Sequence, residues 1–194
     1  MLRQALEAIK TELNTYLLAA LANGSTEPVV KLLNIANAEG SNAQAVTDNV
    51  IMSLVNIEEE TTLKNGSMYR LQSLSTIERI NPALFLNFYV LFAINSTNET
   101  NYLNALLLIS NVLGFFQQKH MLSKENTPTL DPKIEKLVIE LYSPNFEQLN
   151  HLWAMLGGKY MPSVLYKVRM LMIEDTQPEG SSLITSIEIG SIRL

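Results

Sequence analysis

A long apolar segment near the middle of the chain sets the strictest limit on how it can fold. The segment is Leu84–Ile94, with the sequence LFLNFYVLFAI, and only Asn87 interrupts it. Because successive side chains of a strand point to opposite faces, a strand that is apolar at both parities is buried on both faces. The run is too short to cross a bilayer, which needs about 20 residues. It therefore predicts a strand that is covered either by two layers of structure or by a neighbouring subunit.

The spacing of apolar residues predicts that helices and strands alternate along the rest of the chain. Helical spacing occurs over Leu2–Leu21, Asn98–Gln118 and Ser143–Leu156. Short β-branched or alternating segments predict strands within Pro28–Asn37, Val50–Glu59, Lys133–Tyr142, Val164–Glu174 and Ile184–Leu194. Composition predicts loops at Ala38–Asp48 and around Pro128 and Pro132, and an excursion or extended hairpin loop at Thr61–Asn81.

The second and third helices carry more specific expectations. In the third, Ser143 is expected to cap the amino end and Pro144 to take the first helical position, while Gly157-Gly158 ends the helix. One side of this helix is expected to carry Phe146, Leu149, Trp153 and Leu156. The apolar stripe of the second helix is expected to comprise Leu103, Leu106, Leu107, Ser110, Leu113 and Phe116.

The order of the elements indicates an α+β fold, a sandwich in which helices pack against a mainly antiparallel sheet. No glycine-rich turn joins a strand to a helix, which argues against a parallel nucleotide-binding sheet. No internal repeat or long linker divides the chain, so residues 1–176 are expected to form a single domain. Residues 177–194 are expected to be a flexible spacer, Gln177–Ser182, followed by a candidate C-terminal strand at Ile184–Leu194.

Composition excludes several classes of function. Charged residues make up only 17% of the chain, against a usual share of about 25%; we therefore expect part of the surface to be covered by other subunits. A net charge of −5 argues against nucleic acid or an anionic membrane as the main partner. The absence of cysteine excludes disulfides and cysteine-bound zinc. The charged, amphipathic start has no apolar signal-peptide core, which predicts a protein that is cytosolic when made.

Residues that could carry catalysis or bind a metal are few. His120 and His151 lie apart in the sequence, and no nucleophile elbow, phosphate loop, dinucleotide fingerprint or zinc-protease motif occurs. The one carboxylate cluster is Glu58-Glu59-Glu60, which could hold a hard cation at a strand end. At most two of three consecutive strand residues face the same side. A solvated strand end, or a partner for basic residues of another subunit, is therefore favoured over a metal site.

Lys159, Lys167 and Arg169 form a small cationic group near the last strong strand. Lys167 and Arg169 are two residues apart and so share one face of a regular strand. They could pair with glutamates of the same sheet, or they could form charge-complementary contacts between subunits. The sequence does not separate these two interpretations.

Four stretches, in their order and spacing, resemble one family of proteins. Together they are similar to the tail terminator, or cap, proteins of contractile injection systems of the antifeeding-prophage type, which are themselves similar to phage tail terminators. The resemblance runs from the first helix to about Asp175 and does not extend into the residues after Gln177. The stretches are Asn56–Glu60 with Thr62–Asn65, Asn81–Asn87 with Tyr89–Phe92, Phe115–Gln117, and Leu149–Trp153 continuing through Leu156-Gly157, Lys159-Tyr160 and Pro162-Ser163 to Tyr166–Met170.

The resemblance implies a structural protein with no catalytic residues and no cofactor. Proteins of this kind form a hexameric ring at the membrane-distal end of the particle, where they stop growth of the inner tube and sheath. The resemblance therefore implies three partners, namely further copies of this chain, the inner tube protein and the sheath protein. Trp153, Tyr160, Pro162 and Tyr166 are expected to be fold or interface elements. The residues expected at interfaces are Glu58, Glu59, Glu60, Lys159, Tyr160, Lys167 and Arg169.

Two other classes of function stay open. A small cytosolic enzyme or ligand-binding domain would use the Glu58–Glu60 cluster or His151, and it would be a discrete monomer or dimer with a pocket. An assembly chaperone or baseplate component would be absent from the cap of the finished particle.

Overall fold

The structure, a computed structural model, places most of the chain in helices and strands. The residues that it describes are 1–21, 27, 29–35, 49–60, 69–73, 76–79, 84–96, 98–157, 159–173 and 180–183. The chain forms two compact units, one of residues 1–58 with 86–171 and one of residues 59–85 with 172–194. The predicted loop at Ala38–Asp48 lies outside the described residues.

The elements follow the predicted order of helix, strands, helix, strand, helix and strand, with two further short strands at Met121–Ser123 and Gly180–Leu183 that were not predicted. The helices are α1 (Leu2–Leu21), α2 (Glu99–Gln118) and α3 (Phe146–Met155). The strands are β1 (Val30–Leu32), β2 (Val50–Glu59), β3 (Tyr69–Ser73), β4 (Thr76–Arg79), β5 (Leu84–Ile94), β6 (Met121–Ser123), β7 (Lys136–Tyr142), β8 (Ser163–Ile173) and β9 (Gly180–Leu183).

Six strands form one sheet in the order β1-β2-β5-β8-β7-β6. The short edge strand β1 pairs in parallel with β2, whereas β7 pairs antiparallel with both β6 and β8. The sheet is mostly antiparallel, with helices packed against it, and this confirms the predicted α+β class.

The central strand β5 is buried on both faces, as its composition predicts. Phe88, Val90, Phe92 and Ile94 belong to the core that includes the buried faces of α1 and α2. The alternate residues Tyr89, Leu91 and Ala93 belong to a second core that includes Trp153 of α3. Two layers of the same chain therefore cover this strand, and burial of its faces needs no neighbouring subunit.

The first helix has the bounds that its apolar spacing predicts. Its buried side chains include Leu6, Ile9, Leu13 and Leu17, which recur every three or four residues and so share one face. Asn14 accepts hydrogen bonds from the main-chain N–H groups of Val29 and Val30, at 2.8 and 3.2 Å. These bonds hold the start of β1 against the helix.

The second helix has nearly the predicted bounds, but of the six residues in the expected apolar stripe only Phe116 is buried. Leu103, Leu106 and Leu107 are 62%, 40% and 54% exposed, and Ser110 is exposed as well. The helix is apolar on more than one side, so spacing alone cannot select the buried face. Aromatic packing selects it, because the Phe116 ring lies 5.4 Å from Phe92 and 4.6 Å from Tyr166. The buried residues are Ala105, Leu108, Ile109, Val112, Phe115 and Phe116.

The third helix begins two residues later than predicted. Asn145, and not Ser143, is the N-cap: its side chain accepts from the Gln148 N–H, and the Gln148 side chain accepts from the Asn145 N–H. This reciprocal capping box satisfies two donors, whereas Ser143 is followed three residues later by Phe146, which has no side-chain acceptor to complete such a box. Phe146 is 91% exposed and does not join the buried side. Gly157, at φ +111°, follows the helix end as predicted.

The smaller unit contains a three-stranded antiparallel sheet in the order β3-β4-β9. The predicted excursion at Thr61–Asn81 therefore contains a hairpin. Gly180–Leu183 pair with β4, so residues 180–182 of the expected spacer belong to a strand. Ile184–Leu194 lies outside the described residues, and both its strand and the predicted domain boundary at residue 176 stay predictions. Among the described helices, none is both long and apolar enough to cross a membrane.

Candidate assembly surface

A row of polar side chains crosses one face of the six-stranded sheet, from β2 through β5 to β8. The Lys167 Nζ lies 3.6 Å from Glu58 Oε2, and the Tyr89 hydroxyl donates a hydrogen bond of 3.0 Å to the same oxygen. The ammonium also lies 5.4 Å from the centre of the Tyr89 ring, within the range of a cation–π contact. The row joins the first glutamate of the acidic cluster to a lysine of the cationic group within one chain.

The two titratable partners of Glu58 hold their protons more tightly than usual. Burial has the largest influence on the pKa of Lys167 and would lower it, but the combined effect of Tyr89 and Glu58 outweighs burial and raises the pKa. Burial also has the largest influence on the pKa of Tyr89, and here it raises the pKa; Lys167 opposes this shift and Glu58 adds to it. At neutral pH the row therefore presents an ammonium and a neutral hydroxyl to the Glu58 side chain.

Arg169 also pairs within the sheet. The register of β7 and β8 sets Glu140 opposite Lys167 and Val138 opposite Arg169, so the contact between Arg169 and Glu140 is diagonal. Its Nη1 to Oε1 distance is 3.5 Å, and both side chains are about half exposed. Pairs this exposed contribute about 1 kcal/mol or less. Within the single chain, Lys167 and Arg169 thus meet glutamates of their own sheet, and the role of the cationic group at an interface stays a prediction.

The other two glutamates of the cluster do not build a metal site with Glu58. Glu59 is exposed, and Glu60 is half-buried with its main-chain N–H donating to the Phe85 carbonyl at 2.8 Å. Over the described ranges, no three histidine, aspartate or glutamate side chains come close enough together to hold a metal ion. The geometry therefore gives no support to a cation at this cluster.

Lys159 and Tyr160 lie in the connection between α3 and β8, and both are exposed. The Tyr160 ring is 63% exposed and meets the buried Trp153 ring edge-on at 5.7 Å. Trp153 thus fixes the position of an aromatic ring that is largely accessible to a partner. The expected role of Trp153 as a fold element agrees with its burial in the core.

His151 and Glu58 line the same open groove, which has a volume of about 510 Å³. Glu58 already faces Lys167 and accepts from Tyr89, an arrangement that neutralises the carboxylate. Among the described residues that line the groove, none is a serine, threonine or cysteine that His151 could activate as a nucleophile. The lining residues are Val55, Asn56, Glu58, Tyr89, Tyr142, Pro144, Gln148, His151, Leu152, Met155 and Leu165.

The exposed side of α2 is the largest difference between the structure and the sequence-based prediction. Tyr102 joins Leu103, Leu106 and Leu107 there, and it is 46% exposed. A sequence signal for this surface exists, since no charged residue occurs between Thr100 and Gln118. A helix with one wet side normally carries charges on that side. The exposed side of α2 is therefore largely apolar and uncharged.

The described surface thus combines internal ion pairs with exposed apolar side chains on a mainly antiparallel α+β domain. Residues 4–186 match the family described as the Pvc16 N-terminal domain, and the chain belongs to that family. Among curated proteins, no significant match to the chain was found.

Two solved structures have a similar fold. One is the sheath/tube terminator of an extracellular contractile injection system named PVC, in its extended state. The two chains are 12% identical, and the superposition has a TM-score of 0.62 and covers 100% of this chain and 64% of that chain. The other is the tube-terminating cap of the anti-feeding prophage. The two chains are 15% identical, and the superposition has a TM-score of 0.57 and covers 97% of this chain and 59% of that chain. The chain thus spans about three fifths of the length of each.

Proposed function

We propose that this chain is a structural terminator domain, which ends growth of the inner tube and sheath of a contractile injection system. The observation that carries the proposal is the family match over residues 4–186, together with a fold similar to a sheath/tube terminator and to a tube-terminating cap. The role needs neither catalytic residues nor a cofactor. Its partners are the tube protein, the sheath protein and further copies of this chain.

The proposed assembly is a ring of six copies at the cap end of the particle, built from chains made in the cytoplasm. A ring requires two different, complementary patches on each subunit, because its contacts are heterologous and close on themselves. The apolar side of α2 supplies one surface that a partner could cover. One face of the ring copies the docking surface of a tube ring, and the other face offers nothing on which the next ring can assemble.

Within this proposal, the seven predicted interface residues divide by their surroundings. Lys159 and Tyr160 are exposed and available for contacts between subunits. Glu58 and Lys167 pair with each other and Arg169 pairs with Glu140, so these three predicted residues would present an ordered polar surface to a partner. Of the remaining two, Glu59 is exposed and Glu60 is half-buried.

The test of this function is particle imaging in cells that produce the whole injection system. We expect cells without this gene to make tails of uncontrolled length, or tubes without sheath, and expect the wild-type gene to restore uniform particles. Tails of normal, uniform length without the gene would overturn the proposal. Particles that fail earlier, at the baseplate, would instead favour a role as chaperone or baseplate component.

A further inference from the structure

The outer edge of β7 is only half covered by its neighbour in the sheet. β6 pairs Met121–Ser123 with Lys136–Val138, and the Ile139 N–H donates to the His120 carbonyl at 2.7 Å. The sheet ends with β6, and no described strand lies alongside Glu140–Tyr142 on that side. Within the described part of the chain, the carboxyl half of β7 is therefore an open sheet edge.

The direction of the main-chain groups at this edge follows from the antiparallel pattern. Alternate residues of such a strand turn their N–H and C=O groups toward the same neighbour. Because the Ile139 N–H bonds toward β6, Leu141 also turns its N–H and C=O groups away from β8. An edge of this kind is a template for pairing with another extended chain.

Two apolar cavities lie beside this edge, and both include Leu113 and Leu141. One has a volume of about 360 Å³ and extends toward Phe116 and Tyr166. The other has a volume of about 340 Å³ and extends toward Leu152 on α3. A free edge supplies main-chain hydrogen bonds, and cavities beside it receive alternate side chains, which is how sheets bind extended peptides. The occupant that fits is a strand with apolar side chains at alternate positions.

We propose that residues 184–194 of a second copy of this chain add as a strand to the open edge of β7. Their sequence, ITSIEIGSIRL, contains two apolar–charged–apolar triplets, Ile187-Glu188-Ile189 and Ile192-Arg193-Leu194. A triplet spans about 10 Å, the length of Glu140–Tyr142. It places two apolar side chains on one face of the added strand, and its charge on the other.

This contact is heterologous, because the donating segment and the accepting edge are different parts of the chain. Each copy accepts one strand and donates one, which generates a closed ring or an open filament. The inference rests on the proposed function, since assembly of several copies supplies the neighbouring segment. The accepting edge lies in the larger unit, among residues whose burial and pairing are described above.

The test uses two variants of the full-length chain. Leu141→Lys places a positive charge at the open edge, where lysine discourages strand pairing. Because Leu141 is 55% exposed, the fold should tolerate this change. The second variant removes the apolar side chains of the donor by Ile187→Ser, Ile189→Ser, Ile192→Ser and Leu194→Ser. We expect sedimentation to show a wild-type chain that self-associates, and each variant to weaken that association by about tenfold or more.

Mixing the two variants gives the decisive result. The chain with the four serine substitutions still has an intact β7 edge, and the Leu141→Lys chain still has an intact segment 184–194. An equimolar mixture of the two should therefore form a complex of two chains and nothing larger. Phe146→Lys is the matched control, because it adds the same charge at a side chain that is 91% exposed elsewhere, and it should associate like wild type.

Three results in solution would overturn the inference: a wild-type chain that stays monomeric, a Leu141→Lys chain that associates like wild type, or a mixture that stays monomeric. Circular dichroism of each variant, matching wild type, excludes unfolding as the cause of lost association. If Leu141→Lys fails to associate through this edge and yet caps particles normally, strand addition is not required in the particle and the inference fails. The terminator function itself fails only if deletion of the whole gene leaves the particles normal.

Discussion

Tyr166 shows how strongly the core changes the chemistry of a single residue. Its side chain is 3% exposed, and burial raises its pKa from 10.0 to about 12. Between these two values the unfolded chain has lost the phenolic proton and the folded chain has kept it. Stability that is fully present below pH 10 is therefore lost as the pH rises toward 12, by about 1.4 kcal/mol per pH unit.

We expect Tyr166→Phe to reduce this alkaline loss of stability, because phenylalanine has no proton to release. The measurement is the free energy of unfolding in denaturant at pH 9, 10 and 11, for wild type and variant. The other titrating groups are common to both chains, so they cancel in the difference. Equal slopes in the two proteins would contradict the assignment of the raised pKa to Tyr166.

The ion pair between Lys167 and Glu58 should have a small effect on stability. The side chains are 27% and 45% exposed, and pairs at that exposure contribute about 0.2–1 kcal/mol. We expect a double-mutant cycle with Lys167→Met and Glu58→Gln to give a coupling free energy in this range at low salt, and a smaller one at high salt. A coupling well above this range would mean that the pair is more shielded from water than its exposure indicates.

At the scale of elements, the capping box fixes the start of α3. Asn145→Ala removes the side chain that accepts from the Gln148 N–H at 2.8 Å, and we expect a loss of about 1 kcal/mol in the free energy of unfolding. Ser143→Ala is the matched control, since this residue lies outside the helix, and it should change stability by less than about 0.5 kcal/mol. Thermal and denaturant unfolding would measure both. A larger loss of stability for Ser143→Ala than for Asn145→Ala would show that Ser143, the residue expected from the sequence, caps the helix.

At the scale of the whole molecule, the exposed side of α2 should matter for assembly more than for stability. Leu103→Lys and Leu107→Lys change side chains that are 62% and 54% exposed, so each should alter the free energy of unfolding by less than about 0.5 kcal/mol. We expect both to reduce the fraction of capped particles in negative-stain images. Asn104→Lys is the control, because it adds the same charge to an exposed polar position of the same helix. Normal capping by both leucine variants would mean that this side stays uncovered in the particle.

Much of the fold could be predicted from local patterns, and much of the surface could not. The bounds of α1 follow from its helical spacing, those of β2 from its short β-branched composition and those of β5 from its continuous apolar run. The start of α3 was misplaced by two residues, since Ser143 and Asn145 are both good caps and only the partner Gln148 distinguishes them. The partners of Glu58 and Arg169 lie on other strands, so no sequence spacing could have identified them.

The chain order of helices and strands, the α+β class and the double burial of β5 follow from residue type and spacing, which act between near neighbours along the chain. The buried side of α2, the pairing of Glu58 with Lys167 and the open edge at Leu141 depend on which distant segments meet. The aromatic cluster of Phe92, Phe116 and Tyr166 shows why: its members are far apart in sequence, and their packing alone decides which side of α2 is left for a partner.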